Sequence, residues 1–530
     1  NVFVLMGPSR YFITTPIFYV NSGPHLGHHH TVVLADALHR LHRLLNPKQE
    51  TIFSTGTDEH GLKIQQAASR AKQDVLTFCN GVSKQFKDLF DNTGITYTDY
   101  VRTTENRHKK CVHHFWKTLQ DKGCIYTGIY KGWYSTQDEL FLSESEVTEV
   151  KQADGTLQKV SVESGHPVEW MEEKNYLFRL SQFQGDLLHW LKSSEGVVKP
   201  AKFQKLLMHW IDAGLQDLSV SRQSTRVHWG IRVPEDSSQT IYVWLDALVN
   251  YLTVSGYPDK NHVWPPDCHV IGKDILKFHG IYWPAFLMAA GLEPPRSILC
   301  HSHWTVNDEK MSKSKGNIVC PYKKVDKYTA DGIRYFLLKE GVPHSDGNFN
   351  NTKVQRLLNA ELADTLGNLL SRCTAPLVNK HQIFPSYDAE SFESYADGQK
   401  ILDQLHDLAD KVKDKYLEGN IYQGIDEVMA VLRQTNALVQ DAKPWELAKS
   451  DSGETRLNAV LHVALEVLRV SGIVLQPVIP VLATRILDKL QVPTGERCWA
   501  DAQSPSLNPR PLTTDRTHVF ARLKVQSAAA

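Results

Sequence analysis

Leu34, Leu38, Leu41 and Leu45 recur at intervals of four, three and four, which lines one face of a 3.6-residue helix over 31–45. An apolar run at 11–17 precedes this segment and another at 51–54 follows it, so the start of the chain predicts strand, helix, strand: a βαβ unit with parallel pairing. Helical sequence continues over 62–92. Between 104 and 235 the pattern changes. A helical stretch to 122 gives way to short alternating pieces such as Gly128-Ile129-Tyr130 and Gly132-Trp133-Tyr134, a turn at Ala153-Asp154-Gly155 and a run at 157–162. This predicts an α+β insertion. The α/β alternation resumes with strands at 239–245, 268–271 and 297–301 and a helix over 275–290. From 352 to 490 the period is helical, broken at Pro376, Pro385, Pro444 and the Pro477/Pro480 pair, which predicts an all-α C-terminal domain.

Composition narrows the class. A chain of 530 residues exceeds one core and implies two to four domains. The most apolar run, 467–487, carries Arg469, Arg485 and two prolines, so it reads as a core helix pair and not a membrane span. Lysine plus arginine equals aspartate plus glutamate at 59 each, and from Ala363 onward 18 basic residues face 21 acidic ones. Bulk charge therefore predicts no polyanion partner, and any RNA recognition must rest on local side chains. Eight cysteines without a CxxC exclude a disulfide framework and a thiolate zinc site, and fit a reducing compartment. The chain begins at Asn1 with no Arg-rich leader, which reads as a processed or trimmed start and leaves a removed targeting peptide open.

Candidate chemistry begins at Pro24-His25-Leu26-Gly27-His28, where the helix starts. Unpaired backbone N–H groups and the macrodipole favour an anion there, and Gly27 removes a side chain that would obstruct a phosphate. Nucleotide binding, metal binding by the His25, His28, His29 and His30 cluster, and simple capping all remain open on this segment alone. A second candidate is the polar loop Thr55-Gly56-Thr57-Asp58-Glu59-His60-Gly61 at the carboxyl edge of the second strand. A third is Lys310-Met311-Ser312-Lys313-Ser314-Lys315, either mobile ammonium donors for a polyphosphate or a solvated charge run.

HLGH at 25–28 paired with KMSKS at 310–314 resembles the signature of class I aminoacyl-tRNA synthetases. The segments at 16–21, 55–61, 242–247 and 271–283 resemble methionyl-tRNA synthetases, closest to the short organellar and bacterial type, over about 11–490. The resemblance implies a Rossmann-like parallel-sheet catalytic domain at 1–103 and 236–303, an insertion at 104–235, a KMSKS and stem-contact region at 304–362, and a helical anticodon-binding domain at 363–530. It implies methionine activation by ATP with magnesium, followed by transfer to the 2′-hydroxyl of the terminal adenosine of tRNA(Met). The alternatives are a class I synthetase for another amino acid and a catalytically silent tRNA-binding paralogue.

Residue by residue, the resemblance gives His25, His28, Lys310 and Lys313 catalytic roles. ATP contacts would come from His25, Gly27, His28, Gly272, Asp274 and the loop Lys310, Met311, Ser312, Lys313 and Ser314. Asp58 would hold the methionine ammonium, with Ile17, Tyr19, Trp244, Ala247, Tyr251, Ile275, His279 and Trp283 forming the pocket. A thioether suits an apolar, aromatic slot, although from the residues alone ordinary core packing is the commoner explanation for Trp244 and Trp283. Asn368 and Arg372, four apart on one helix face, and Trp445 would read the anticodon; a polar surface pair and a core tryptophan are the plain alternative. His29 and His30 lie outside the motif and face the helix's surroundings.

Two departures from the family pattern stand out: Leu248 occupies a position where many relatives have proline, and Tyr134 to Glu139 lacks the cysteine pairs of zinc-bearing relatives. No zinc is therefore expected, and the insertion is too small for a separate hydrolytic domain, so homocysteine must be handled in the main site. The zinc-less insertion and the absence of an appended C-terminal tRNA-binding domain imply a mitochondrial matrix enzyme, with a bacterial cytoplasm as the alternative. A monomer without membrane association is expected.

Overall fold

Strands β1 (Arg10–Thr14), β2 (Phe18–Tyr19), β3 (Glu50–Asp58), β4 (Asp99–Arg102), β5 (Val198–Lys199), β6 (Cys268–Gly272) and β7 (Ile298–His301) form one sheet. Their order is β5-β7-β6-β1-β3-β2, β4 also pairs with β3, and every pairing is parallel. The chain leaves β1 toward β3 on one side, whereas β6 and β7 lie on the other. The order thus reverses between β1 and β6, and a crevice opens there beyond the carboxyl ends of the strands. This computed structural model describes residues 10–524 apart from 137–139, 143, 153–154, 163, 194–195, 312–315, 394, 507, 514 and 516.

Helix α1 (Leu26–Leu45) follows β1 and the short strand β2. Its apolar face buries Leu34, Leu38 and Leu41 as the periodicity predicts, but the helix starts five residues before 31, so the HLGH motif occupies its first turn. The insertion opens with α2 (Asn106–Asp121), followed by an antiparallel sheet in which Ile125–Ser135 pairs with Glu169–Phe178. It also returns β5 to the edge of the parallel sheet, a contribution too short to show as a pattern in sequence. Of the expected turn at 153–155, Ala153 and Asp154 lie outside the described residues; the flanking strands Val147–Lys151 and Leu157–Ser161 pair antiparallel.

Two elements differ from expectation. The expected strand at 239–245 is a strand over Asp236–Ile241 in a separate antiparallel sheet, then helix α3 (Val243–Leu248). Leu245, Asp246, Ala247 and Leu248 are buried in succession, and so short a buried run has no period that separates helix from strand. The expected helix over 275–290 is a 3₁₀ turn at Lys273–Ile275, a π-helical turn at Phe278–Tyr282 and an α-helix at Trp283–Ala290. Pro284 cannot donate to the carbonyl four residues back, which favours the wider turn before it.

Helix α4 (Ala330–Glu340) leads into the helical region, whose longest members are Ala396–Leu417, Ile421–Ala442 and Glu454–Val474. The last is long and apolar enough to span a membrane, but 94% of that window is buried inside the protein, so it is a core helix. One apolar core runs from β1, α1 and α4 into these helices, and a second joins the insertion to α3 and the segment after β6.

A buried ion pair crosses the first core. Arg334 on α4 reaches Asp36 on α1 at 2.7 Å, with both side chains fully buried. The guanidinium also donates to the carbonyls of Pro477 and Val478, at the corner after Glu454–Val474. Asp36 further accepts from the Thr96 amide and hydroxyl at 2.7 Å each and from Arg40. Burial alone would raise its carboxyl; Arg334 and Arg40 instead hold it at about 2.

Arg334→Met should lower stability by about 3 kcal/mol, because the fully buried Asp36 keeps only Arg40 and Thr96, and adding Asp36→Asn should recover part of that loss. Thermal unfolding of the two variants checks this. A pH dependence follows from the buried histidines. Burial lowers His29 to about 3 and His39, His42 and His279 to about 4. The unfolded chain binds these protons below its ordinary histidine range and the folded chain does not, so stability should fall as pH drops from about 6.5 to about 4, more steeply than the one-proton slope of about 1.4 kcal/mol per pH unit. Tm measured across that window tests the sign.

Candidate active site

Four strand ends build the crevice. Past β1 come Pro16 and Ile17; β3 ends on Asp58; β6 ends on Gly272, with Asp274 and Ile275 next; and β7 leads into His301, Ser302 and His303. With the first turn of α1 and one side of α3, they enclose a cavity of about 570 Å³.

His25 caps α1. Its backbone is extended, its Nδ1 accepts from the Gly27 amide at 3.1 Å, and its own amide donates to His28 Nδ1 at 3.3 Å. The two rings stack with centroids 3.6 Å apart. Because each Nδ1 is an acceptor, a neutral ring carries its proton on Nε2, the donor it can offer a ligand. Gly27 has a use beside phosphate access: a Cβ there would lie 3.0 Å from His25 Cε1, a tight contact that would press on the folded ring. Gly272 serves the same purpose for Asp274, whose Oδ1 would be 2.5 Å from an added Cβ.

Asp58 stands at the end of β3 and is 8% exposed. Glu59 beside it is held by Arg102 at 2.6 and 2.9 Å, by Thr104 at 2.6 Å and by Thr57 at 2.8 Å. The cavity is also lined by Tyr19, paired with Asp58 on the neighbouring strand, and by Ile17, Trp244, Ala247, Leu248, Tyr251, Ile275 and His279. Trp244 stacks on Phe278 at 3.6 Å. His279 Nδ1 donates to the Ile275 carbonyl at 3.0 Å, and its Nε2 accepts from the Tyr251 hydroxyl at 2.7 Å. Burial lowers the imidazole to about 4 and raises the phenol, so this wall is polar but uncharged.

Not every expected residue lines the cavity. Trp283 is fully buried behind the wall, with ring contacts to Tyr251, Phe115 and Trp264, so it supports the pocket from outside. His29 and His30 face core, not solvent: His30 packs edge-on against His301 and Trp304. Met311 reaches the cavity, whereas Ser312, Lys313 and Ser314, and the Lys310 side chain, lie outside the described residues. The stretch expected to lack zinc ligands includes Gln137, Asp138 and Glu139, also outside them; among the described residues no three histidine, cysteine or acidic side chains cluster as a metal site.

Thr31, Asn250 and the His301 to Trp304 segment line the cavity without having been singled out in sequence. His301 Nε2 meets the Thr31 hydroxyl at 2.8 Å and His303 Nε2 meets Asp274 Oδ1 at 3.2 Å. Their position just past a parallel strand was the available signal.

Far along the chain, Asn368 opens the helix Asn368–Thr374 on an exposed face, with Arg372 one turn on. The Arg372 guanidinium lies 5.3 Å from the Trp445 ring and donates to Gln440 at 3.0 Å. Trp445 is half-buried, turned out by Lys443, whose φ of 47° ends the preceding helix.

The family described as tRNA synthetases class I (M) matches residues 11–374, and the anticodon binding domain of methionyl tRNA ligase matches 391–517. The mitochondrial methionine–tRNA ligase of Takifugu rubripes is 51% identical over 98% of this chain and 90% of its own length; that of Homo sapiens is 50% identical over 92% and 85%. Among solved structures, Mycobacterium tuberculosis methionyl-tRNA synthetase in complex with methionyl-adenylate superposes with a TM-score of 0.91 at 35% identity, covering 96% of this chain and 99% of that one. Its apo form gives 0.84 at 32% identity, covering 98% and 99%. With its switch-point crevice, HLGH helix start and helical C-terminal region, the chain belongs to the methionyl-tRNA synthetases.

Proposed function

We propose that this protein is a methionine–tRNA ligase that activates methionine with ATP and charges tRNA(Met) in the mitochondrial matrix. The observation that carries the reading is one cavity with a carboxylate, Asp58, at one end, an uncharged aromatic slot beside it, and the stacked HLGH rings at the helix start. Methionine places its ammonium at Asp58 and its thioether among Trp244, Ala247, Tyr251, Ile275 and His279. ATP enters as its magnesium complex, against Gly272 and Asp274 and over the start of α1.

The methionine carboxylate attacks the α-phosphorus in line, the bond to the bridging oxygen breaks, and pyrophosphate leaves with methionyl-adenylate formed. The 2′-hydroxyl of the terminal tRNA adenosine then attacks the activated carbonyl, and AMP departs. No side-chain nucleophile is needed. His25 and His28 donate from Nε2 toward the phosphates, Lys310 and Lys313 meet the departing pyrophosphate, and alignment and charge stabilisation supply the rate. Asn368, Arg372 and Trp445 read the anticodon by edge hydrogen bonds and stacking, and the protein works as a monomer without membrane association.

His28→Ala and Lys313→Ala should each slow methionine-dependent ATP–pyrophosphate exchange by about 10²–10³-fold while far-UV circular dichroism is unchanged. The same exchange assay run with each amino acid should respond to methionine; a response to another amino acid alone, or to none, overturns the assignment. Trp445→Ala should leave exchange intact and weaken tRNA charging by about 1–3 kcal/mol, read as a rise in KM for tRNA. Equal loss in both assays would make Trp445 structural.

A further inference from the structure

We propose that Asp246 is a positioning residue for methionine binding: it holds His60, and through His60 the loop that aims Asp58 at the substrate ammonium. The inference rests on the assignment of Asp58 made above. Asp246 lies on α3 between Trp244 and Ala247, which line the cavity, while its own side chain is 1% exposed and outside the cavity wall. Oδ2 meets His60 Nδ1 at 2.6 Å and Oδ1 meets His108 Nε2 at 2.7 Å. One carboxylate therefore joins the loop after β3, helix α3 and helix α2, three elements distant in sequence.

The hydrogen bonds close around an ionised carboxylate. His60 donates from Nδ1 and His108 from Nε2, and His108 Nδ1 meets the Thr253 hydroxyl at 2.9 Å. Burying a charge with partners of this kind costs desolvation, and what it supplies in return is geometry. Asp58 is followed by two such anchors. Glu59 is fixed by Arg102, Thr57 and Thr104, and the Trp229 indole donates to the Glu59 carbonyl at 2.5 Å. Two residues on, the His60 amide approaches Asp58 Oδ1 at 3.5 Å, and the His60 ring is tied to α3 by Asp246 while it packs edge-on against Trp229. A carboxylate that must meet a small ammonium needs the loop that follows it held, since that loop's position sets its aim.

The test compares Asp246→Asn, His60→Asn, the double variant and Asp58→Asn in pyrophosphate exchange, with competitive inhibition by methionine lacking its amino group measured alongside. Asp246→Asn and His60→Asn should each raise the methionine KM about tenfold, leave the ATP KM and inhibition by the deaminated compound within about twofold, and combine without further loss, because they break one link. An unchanged methionine KM in Asp246→Asn, additive losses in the double variant, or equal weakening of the deaminated compound overturns the proposal; the last would mean a collapsed pocket instead of a misaimed carboxylate. Asp58→Asn separates the two readings. If it leaves the methionine KM unchanged, the ammonium assignment fails and the proposal with it; if it alone raises KM, only the positioning role fails.

Discussion

The buried pair of Asp36 and Arg334 is the constraint on which the arrangement depends. Helix α1 presents the HLGH rings at its first turn and carries Asp36 further along, so whatever fixes Asp36 fixes the direction in which those rings project. Arg334 binds that carboxylate from α4 and, with the same guanidinium, the carbonyls of Pro477 and Val478 in the helical region. Asp331, on α4 as well, accepts from the Leu482 amide at 2.7 Å. A pair of charges removed from water gains little net stability, but it penalises every arrangement in which the partners do not meet. The first half of the sheet, α4 and the C-terminal helices are thereby held in one register across a shared core.

The site built on that frame divides its electrostatics by region. Carboxylates sit at the strand ends, at Asp58 and Asp274, where a substrate ammonium and a nucleotide would approach. The aromatic end holds its polar atoms neutral: Tyr251 and His279 satisfy each other and the Ile275 carbonyl, with both groups shifted by burial toward the uncharged form. An uncharged slot suits a thioether, which gains from ring contacts and would gain nothing from a charge. Two close approaches make the geometry fit: Gly27 lets the His25 ring fold over its own helix, and Gly272 lets the Asp274 carboxylate turn back toward its strand.

Much of this was legible in the residues. The leucine spacing in α1, the two flanking strands and the helical period after 352 each reflect a repeat that local burial imposes, and β1, β3, α1 and the C-terminal helices follow it. Periodicity failed where an element is short or interrupted: α3 has six residues with the last four buried in a row, and the turn before Pro284 widens to accommodate one missing donor. Two-residue β5 is shorter than any pattern that could reveal it.

The site shows the same boundary. Motif and resemblance selected His25, His28, Asp58, Trp244, Tyr251 and His279, which the fold brings to one cavity, and Arg372 and Trp445, which it brings into contact. They also selected Trp283, which packs behind the wall, and passed over Thr31 and His301. The sequence by itself determined most of the elements, their order, the crossover that makes the sheet parallel and the motifs present at 25–28 and 310–314, because these depend on neighbours a few positions apart. Only the tertiary structure decided that Asp36 meets Arg334, that Asp246 meets His60 and His108, and which aromatic faces the cavity. Those contacts join residues more than a hundred positions apart, and their energy comes from burial and desolvation, which exist only once the chain has closed around them.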